Sequence, residues 1–308
     1  MKKQATLLYS ALLMGVLCLV SCKTEEKKED QRDSPVQGTI RISVDESFKP
    51  VIEEQLRVHH ASFPNTTIIA SYKPEADCLR DLQEDSTRMV IVAKGLTEKE
   101  AELYKSALSY KPQYGILAYD AIAVIVNRNA KDSIFTFENI REILSGKRTE
   151  IAVMDGKSAT STVRYLKDSV LKGGDFGKNV VAAGGSKEVI ELVAKRKDVI
   201  GFVGISWVGD QYDPVQVAYQ SKIRMSRIEC TACLEKDIFA KPSQATITRG
   251  EYPLARPLYY ILKENSAGLG TGFMNFMSLE RGQLIFRRAF LAPAKMAFQK
   301  RRGSINEE

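Results

Sequence analysis

The sequence predicts an α/β fold in two lobes, each lobe a mostly parallel sheet flanked by helices. Three observations predict it. From Thr39 onward, short apolar runs of strand type alternate with amphipathic helical patterns, as in parallel strands joined by right-handed crossovers. The alternation restarts after the apolar run Tyr119 to Asn127, and the chain from Gly38 to Glu308 is long enough for two domains of ordinary size. Two strand-to-helix turns carry hydroxyls at their tips, Asp45-Glu46-Ser47-Phe48 and the stretch Asp155 to Tyr165.

The elements follow from local pattern. Ile40, Ile42 and Val44 alternate with Thr39, Arg41 and Ser43, which makes a first strand. The next helix carries Val51, Ile52 and Leu56 on one face, with Ser47 placed as its N-cap and Pro50 in its first turn. Thr66 to Tyr72 is a second strand and Glu75 to Leu82 a short helix. Arg88 to Ala93 is nearly continuous in apolar residues, as a strand buried on both faces is. Thr97 and Glu100 form a capping box for the helix after it.

In the second half, Tyr119 to Asn127 is a strand and Phe137 to Leu144 a helix stopped by Ser145-Gly146-Lys147. Strand Ile151 to Met154 feeds the second hydroxyl turn, and Val163, Leu166 and Val170 carry a helix to about Leu171. Strand Val180 to Ala183 leads through Gly184-Gly185-Ser186 into a helix with Val189, Ile190, Leu192 and Val193. Val199 to Val203 is a buried strand whose Gly201 and Gly204 allow close packing. Val215 to Ile228 alternates like a pair of edge strands around Gln220-Ser221. A late strand, Pro257 to Leu262, precedes helices over Phe273 to Leu279 and Gln283 to about Phe290, and Lys295, Lys300, Arg301 and Arg302 belong to a solvated tail.

The stretch Asp155 to Tyr165 bears most on function. Small residues let a ligand approach the backbone, and a helix start presents unpaired N–H groups at the positive end of its dipole. With Lys157 and Arg164 adding charge, that is an anion cradle; at this point an ordinary capped turn remains the alternative.

At the beginning of the chain, Lys2 and Lys3, the apolar run Thr6 to Val20 and Leu19-Val20-Ser21-Cys22 read as a signal peptide over residues 1–21. The run is about 15 residues, short of the about 20 that a membrane span needs. Its end resembles a bacterial lipoprotein lipobox, which implies cleavage before Cys22 and acylation of its thiol. Residues 22–37 are charged and nearly devoid of apolar side chains, hence a flexible tether. Acidic residues so soon after the cysteine also resemble surface-export signals, though a solvated linker explains the same charges. The expected location is the cell envelope, lipid-anchored outside the cytoplasmic membrane, in the periplasm or at the outer membrane or cell surface.

Composition excludes several functions. The formal net charge is +7, and removing Lys2 and Lys3 with the leader leaves +5, which suits an anionic ligand or membrane surface. No basic block is interleaved with aromatics, so nucleic acid is not an expected partner. His59 and His60, the only histidines, are expected at the surface or helix end and offer no catalytic or metal set. Cys230-x-x-Cys233 is one isolated pair, a poor zinc site that leaves disulfide or free thiols open, and Cys78 stands alone. Gly156-Lys157-Ser158 has Ile151 where a P-loop needs its first glycine, and Gly177-Lys178-Asn179 ends in the wrong residue. The pair Glu53-Glu54 reads as a solvated helix face. No nucleophile elbow appears, so binding without catalytic residue, cofactor or metal is the expectation.

Tyr119-Asp120-Ala121-Ile122-Ala123-Val124-Ile125-Val126-Asn127, Ile143-Leu144-Ser145-Gly146-Lys147, Gly185-Ser186-Lys187-Glu188, Ile200-Gly201-Phe202-Val203-Gly204 and Tyr252-Pro253-Leu254-Ala255-Arg256-Pro257-Leu258-Tyr259 occur in this order, followed by Gly272-Phe273-Met274-Asn275-Phe276 and Gly282-Gln283. Over most of Gly38 to about Phe290 the chain thereby resembles the phosphate-binding protein family of ABC phosphate importers, of the type II periplasmic binding protein fold. The resemblance implies two α/β lobes closing on an anion between helix N-termini, here lobe 1 over 38–118, lobe 2 over 119–247 and a return to lobe 1 with C-terminal helices over 248–308. It implies inorganic phosphate or a similar oxyanion as ligand, an ABC transporter permease as partner, and a monomer.

Carried over by position, Ser47 and Phe48 match the family's hydroxyl–Phe pair opening the first helix, and Ala159-Thr160-Ser161-Thr162, with Ser158 before it, matches its Ser-Gly-Thr-Thr cradle without the glycine. Lys94 stands where better-known members have the aspartate that excludes sulfate, and the nearest arginine, Arg164, follows the cradle instead of preceding it. Lys94 and Arg164 are therefore expected to supply charge, with sulfate-like oxyanions a second ligand class. A surface sensor or adhesion protein without a transport role is the alternative of another kind, and a hydrolase on the same scaffold a third.

Overall fold

The computed structural model describes residues 33–156 and 160–295. Cys22, Ser158 and Lys157 of the foregoing expectations lie outside them, as do the leader, most of the tether and the basic tail. In chain order the first part contains β1 (Gly38–Asp45), a 3-10 turn (Glu46–Phe48), α1 (Lys49–Ser62), β2 (Thr66–Lys73), α2 (Glu75–Asp81), β3 (Thr87–Val92) and α3 (Glu98–Leu108). Next come β4 (Gln113–Asn127), β5 (Ile134–Phe135), α4 (Phe137–Ser145), β6 (Ile151–Met154), α5 (Ser161–Tyr165), β7 (Val180–Ala182), α6 (Ser186–Lys195) and β8 (Val199–Gly204). The remainder is α7 (Pro214–Gln220), β9 (Ile223–Met225), β10 (Arg227–Glu229), β11 (Phe239–Ala240), α8 (Gln244–Thr248), β12 (Ala255–Leu262), α9 (Leu269–Ser278), α10 (Glu280–Arg288) and β13 (Ala292–Pro293).

The strand order β2-β1-β3-β12-β4-β8-β6-β7 confirms the α/β fold with largely parallel sheets. At one end β2, β1 and β3 run parallel, and at the other β8, β6 and β7 do, each set built from strand–helix–strand crossovers. Between them β12 and β4 are antiparallel to each other and to their neighbours. Strand β4 serves both sheets: Gln113–Ala121 pairs with β12, and Ile122–Val126 with β8.

Burial explains the sequence patterns. Ile122, Val124 and Val126 of β4 pack with Ile140, Ile143, Leu144, Leu166 and Phe202, while Ala123 and Ile125 pack with Val189, Ile190, Val193 and Val203. The strand is covered on both faces, hence its unbroken apolar run. In the other sheet Ile42, Val44, Phe48, Ile52, Met89 and Ile91 close against Leu258, Phe273 and Phe286 from the late part of the chain.

Three readings need correction. Residues Pro214–Gln220 form a helix where an edge strand was expected: Asp213 accepts from Val215 N–H as N-cap, with Pro214 behind it, and this start signal outweighs the two-residue alternation. The expected N-cap Ser47 does not cap. Asp45 caps the preceding 3-10 turn, its Oδ1 accepting from the Ser47 N–H at 3.0 Å, and α1 starts after Phe48 without a side-chain cap. His59 is buried at 1 % exposure, its ring 5.0 to 5.2 Å from those of Phe63, Phe273 and Phe276. The helix C-terminus on which it lies is covered by α9, a tertiary contact that its own local sequence does not signal. The Cys230–Cys233 pair, left open by spacing, forms a disulfide, and Cys78 is a buried free thiol.

Candidate functional site

The two hydroxyl-tipped turns meet. At the first, the Asp45 cap turns the chain through the 3-10 segment and buries Ser47 and Phe48 completely. At the second, Thr160 caps α5 by accepting from Val163 N–H, and buries Ser161 and Thr162 in the opening turn. The Ser47 hydroxyl lies 3.4 Å from that of Ser161 and 3.5 Å from that of Thr162, and it donates to Asp155 Oδ2 at 3.1 Å. Thr160 and Thr162 also donate to Asp155, each at 2.8 Å.

A cation stands behind these hydroxyls. Arg256 of β12 is 1 % exposed, and its register partner on β4 is Asp120. Arg256 Nε donates to Asp120 Oδ2 at 2.8 Å, Nη1 to Ser161 Oγ at 3.0 Å and to Thr162 Oγ1 at 3.4 Å. Its guanidinium lies over the Phe48 ring, 5.1 Å from the centroid. Nη2 is buried with no partner among the described residues. Burial would lower the basicity of Arg256, but the neighbouring carboxylate of Asp120 leads the opposing influences and holds the guanidinium charged. Asp45, also buried, has its pKa pushed up to about 7, chiefly by burial against the opposing pull of Arg256 and with Glu75 adding to the rise. Its Oδ2 has no partner among the described residues, so nothing there offsets the desolvation of the charged form. The backbone comes close as well: a Cβ added at Gly204 would lie 2.9 Å from the Ser47 carbonyl oxygen.

Ser47, Phe48, Thr160, Ser161 and Thr162 are thus brought into one buried cluster. Lys94 and Arg164, expected to charge it, are engaged elsewhere. Lys94 donates to Glu100 at 3.0 Å, on the capping box of α3, and remains partly exposed. Arg164 donates to Glu75, at 2.5 Å and 3.1 Å; Glu75 is buried at the start of α2 and also accepts from Ala93 N–H. Arg256 is the cation in direct contact with these hydroxyls among the described residues. Its signal was present as two lone charges, Asp120 and Arg256, inside otherwise apolar strands, where neither is tolerated without a partner.

A second carboxylate contact flanks the cluster. Glu46 accepts from Ser186 N–H at 3.2 Å and from Ser186 Oγ at 2.8 Å, capping α6 from the opposite turn in place of a local side chain. Burial raises the Glu46 pKa, partly offset by the Ser186 hydrogen bond. No group of His, Cys, Asp and Glu suited to a metal ion occurs among the described residues.

Two sheets sharing a central strand, with hydroxyls and one buried arginine converging between two turns, place a cation and directed donors at one point of the fold. Residues 30–280 match the PBP superfamily domain, and the chain belongs to that superfamily. It is 22% identical over 321 residues to the phosphate-binding protein PstS of Pseudomonas aeruginosa, covering 95% of each chain. Its fold is similar to that of a Clostridium perfringens structure described as a candidate phosphate ABC transporter substrate-binding protein with bound phosphate, at a TM-score of 0.67 and 20% identity over 84% of this chain and 100% of that one. An ABC-type phosphate transport receptor from Vibrio cholerae is similar at a TM-score of 0.59 and 17% identity, covering 83% and 100%. The type II binding-protein fold read from the sequence is therefore the fold of this chain.

Proposed function

We propose that this protein captures inorganic phosphate and delivers it to an ABC importer through a permease partner, as a monomer anchored by lipid at Cys22. The observation that carries the ligand class is the buried Arg256 guanidinium, with Nη2 free, among the hydroxyls of Ser47, Ser161 and Thr162. Arg256 supplies fixed positive charge, and the hydroxyls and the Thr160-capped start of α5 supply directed donors. The names of the relatives support phosphate as the anion. Lobe boundaries at 118 and 247 belong to the same proposal, with closure about the crossing strands burying the anion.

Titration calorimetry of the purified protein with phosphate, sulfate and molybdate tests this. Saturable phosphate binding, with sulfate markedly weaker, is the expected result. Tight sulfate binding without phosphate binding would keep the receptor and reject its ligand. No helix among the described residues is long and apolar enough to cross a membrane, so the anchor rests on the leader and Cys22. Labelled fatty acid should enter the wild-type chain and not Cys22→Ala; equal labelling of both would remove the anchor from Cys22. Loss of phosphate uptake in a deletion strain, restored by the gene, is expected of an importer subunit and not of a surface sensor.

A further inference from the structure

The hydroxyls that line the cradle already have an acceptor. Asp155 is buried and takes hydrogen bonds from Ser47 at 3.1 Å and from Thr160 and Thr162 at 2.8 Å each. A hydroxyl has one proton to donate, so a group donating to Asp155 cannot donate to an oxyanion at the same time. Its carboxyl group presents two oxygens and draws donors from both turns, as an entering oxyanion would. Arg256, meanwhile, ion-pairs with Asp120 and leaves Nη2 without a partner. The donors are therefore divided: three hydroxyls are held by Asp155, and one guanidinium N–H group remains to be used.

We infer that Asp155 is a built-in competitor for the oxyanion site, whose carboxylate holds the Ser47, Thr160 and Thr162 hydroxyls and must release them before an oxyanion can take them. The inference rests on the reading of this cluster as an oxyanion site. Its physical content is an exchange. An oxyanion first meets Arg256 Nη2, then replaces Asp155 as acceptor at the three hydroxyls, and the observed affinity is the difference between two anion–hydroxyl sets. Release of Asp155 also frees Ser47 from the second turn, since the Ser47–Asp155 bond joins residues far apart in the chain. The competitor thus helps to hold the two turns together until a ligand takes over that task.

An alternative role predicts the opposite effect. Were Asp155 only a positioning residue that orients the hydroxyls for the ligand, weakening it would weaken binding. The test compares wild type, Asp155→Asn and Asp155→Ala by calorimetry with phosphate and with sulfate. Asp155→Asn keeps the shape and an acceptor oxygen but removes the charge, and covers the case in which Asp155→Ala fails to fold. The expected result is phosphate affinity about 10-fold or more tighter in Asp155→Asn, a difference of about 1.4 kcal/mol. In Asp155→Ala, added acetate should act as a competitor and return the affinity toward that of wild type, an effect a merely structural aspartate would not show.

Wild type binding phosphate with Asp155→Asn equal or weaker overturns the competitor and leaves the phosphate reading intact. Tightened sulfate binding in Asp155→Asn without phosphate binding in any form supports the competitor and rejects phosphate as the ligand. Absence of any oxyanion binding in all three proteins overturns both.

Discussion

Replacing Arg256 by Ala is expected to abolish measurable anion binding and to destabilise the fold in the same step. Among the described residues the side chain contributes the one charged donor set at the cluster, through Nη1 to Ser161 and Thr162 and through the free Nη2. Hydrogen bonds from a charged donor are worth about 1.5–3 kcal/mol each, so a loss of roughly 100-fold or more in affinity follows. Stability falls because Asp120, fully buried, loses the partner at 2.8 Å that compensates its charge. Removing one member of a buried pair costs about 3–5 kcal/mol. Arg256→Lys is not a rescue, since an ammonium cannot reach Asp120 and both hydroxyls in one plane. The paired change Arg256→Met with Asp120→Leu separates the effects: stability should recover substantially while binding stays lost. Phosphate affinity surviving in that double variant would remove Arg256 from the site. Chemical denaturation and calorimetry on the same preparations read both quantities.

The second large effect concerns pH, and it is concealed in the wild type. His59 is held neutral by burial and its pKa is lowered to about 4, with the neighbouring His60 adding to the shift. Between about pH 4 and the ordinary histidine value of 6.5 the unfolded chain takes a proton there that the folded chain refuses. The stability contributed by neutral His59 is therefore present above 6.5 and lost as pH falls toward 4, an effect of about 3 kcal/mol. Asp45 acts in the opposite direction. Its folded pKa of about 7 exceeds the ordinary 3.8, so its contribution is present below 3.8 and lost as pH rises through 7, at about 4 kcal/mol in full. From about pH 4 to 6.5 the two slopes nearly cancel.

Single substitutions should uncover each of them. Asp45→Asn, which keeps an oxygen for the Ser47 N–H, removes the falling slope and makes stability rise with pH relative to wild type over this range. His59→Leu leaves the falling slope exposed and makes stability decline as pH rises toward 7. Urea denaturation across pH 4 to 7 measures both differences against wild type. Parallel profiles for all three proteins would show that neither group titrates as its surroundings dictate.

Most of the fold was legible because its signals are local. The two-faced burial of β4 wrote itself as an unbroken apolar run, and Thr97 and Glu100 announced the start of α3 as a capping box that the structure contains. The failures lie where a distant element overrides a local pattern. At Pro214–Gln220 the alternation of Val215 and Val217 suggested a strand, yet Asp213 and Pro214 set a helix. At His59 the helix end looked solvent-facing because nothing nearby tells of Phe273 and Phe276. The site divides along the same line. Its hydroxyls sit at strand-to-helix turns that sequence spacing exposes, whereas Arg256 belongs to a strand that reaches the cluster only through sheet pairing. Lys94 and Arg164 were near in sequence but had carboxylates nearer in space.

Strand β12 lies between β3 and β4 and is antiparallel to both, although it comes from near the end of the chain. As a chain grows from its N-terminus, β1 to β4 are complete long before the strand that joins them exists. Until Ala255–Leu262 arrives, β3 and the first part of β4 each have an edge without its partner, and pairing across so long a separation is slow. The order of assembly is thereby fixed by topology. Ser47 comes from the first strand–helix turn and Arg256 from that late strand, so the cluster they share exists only once β12 has paired, and a chain that stops short of β12 cannot possess it.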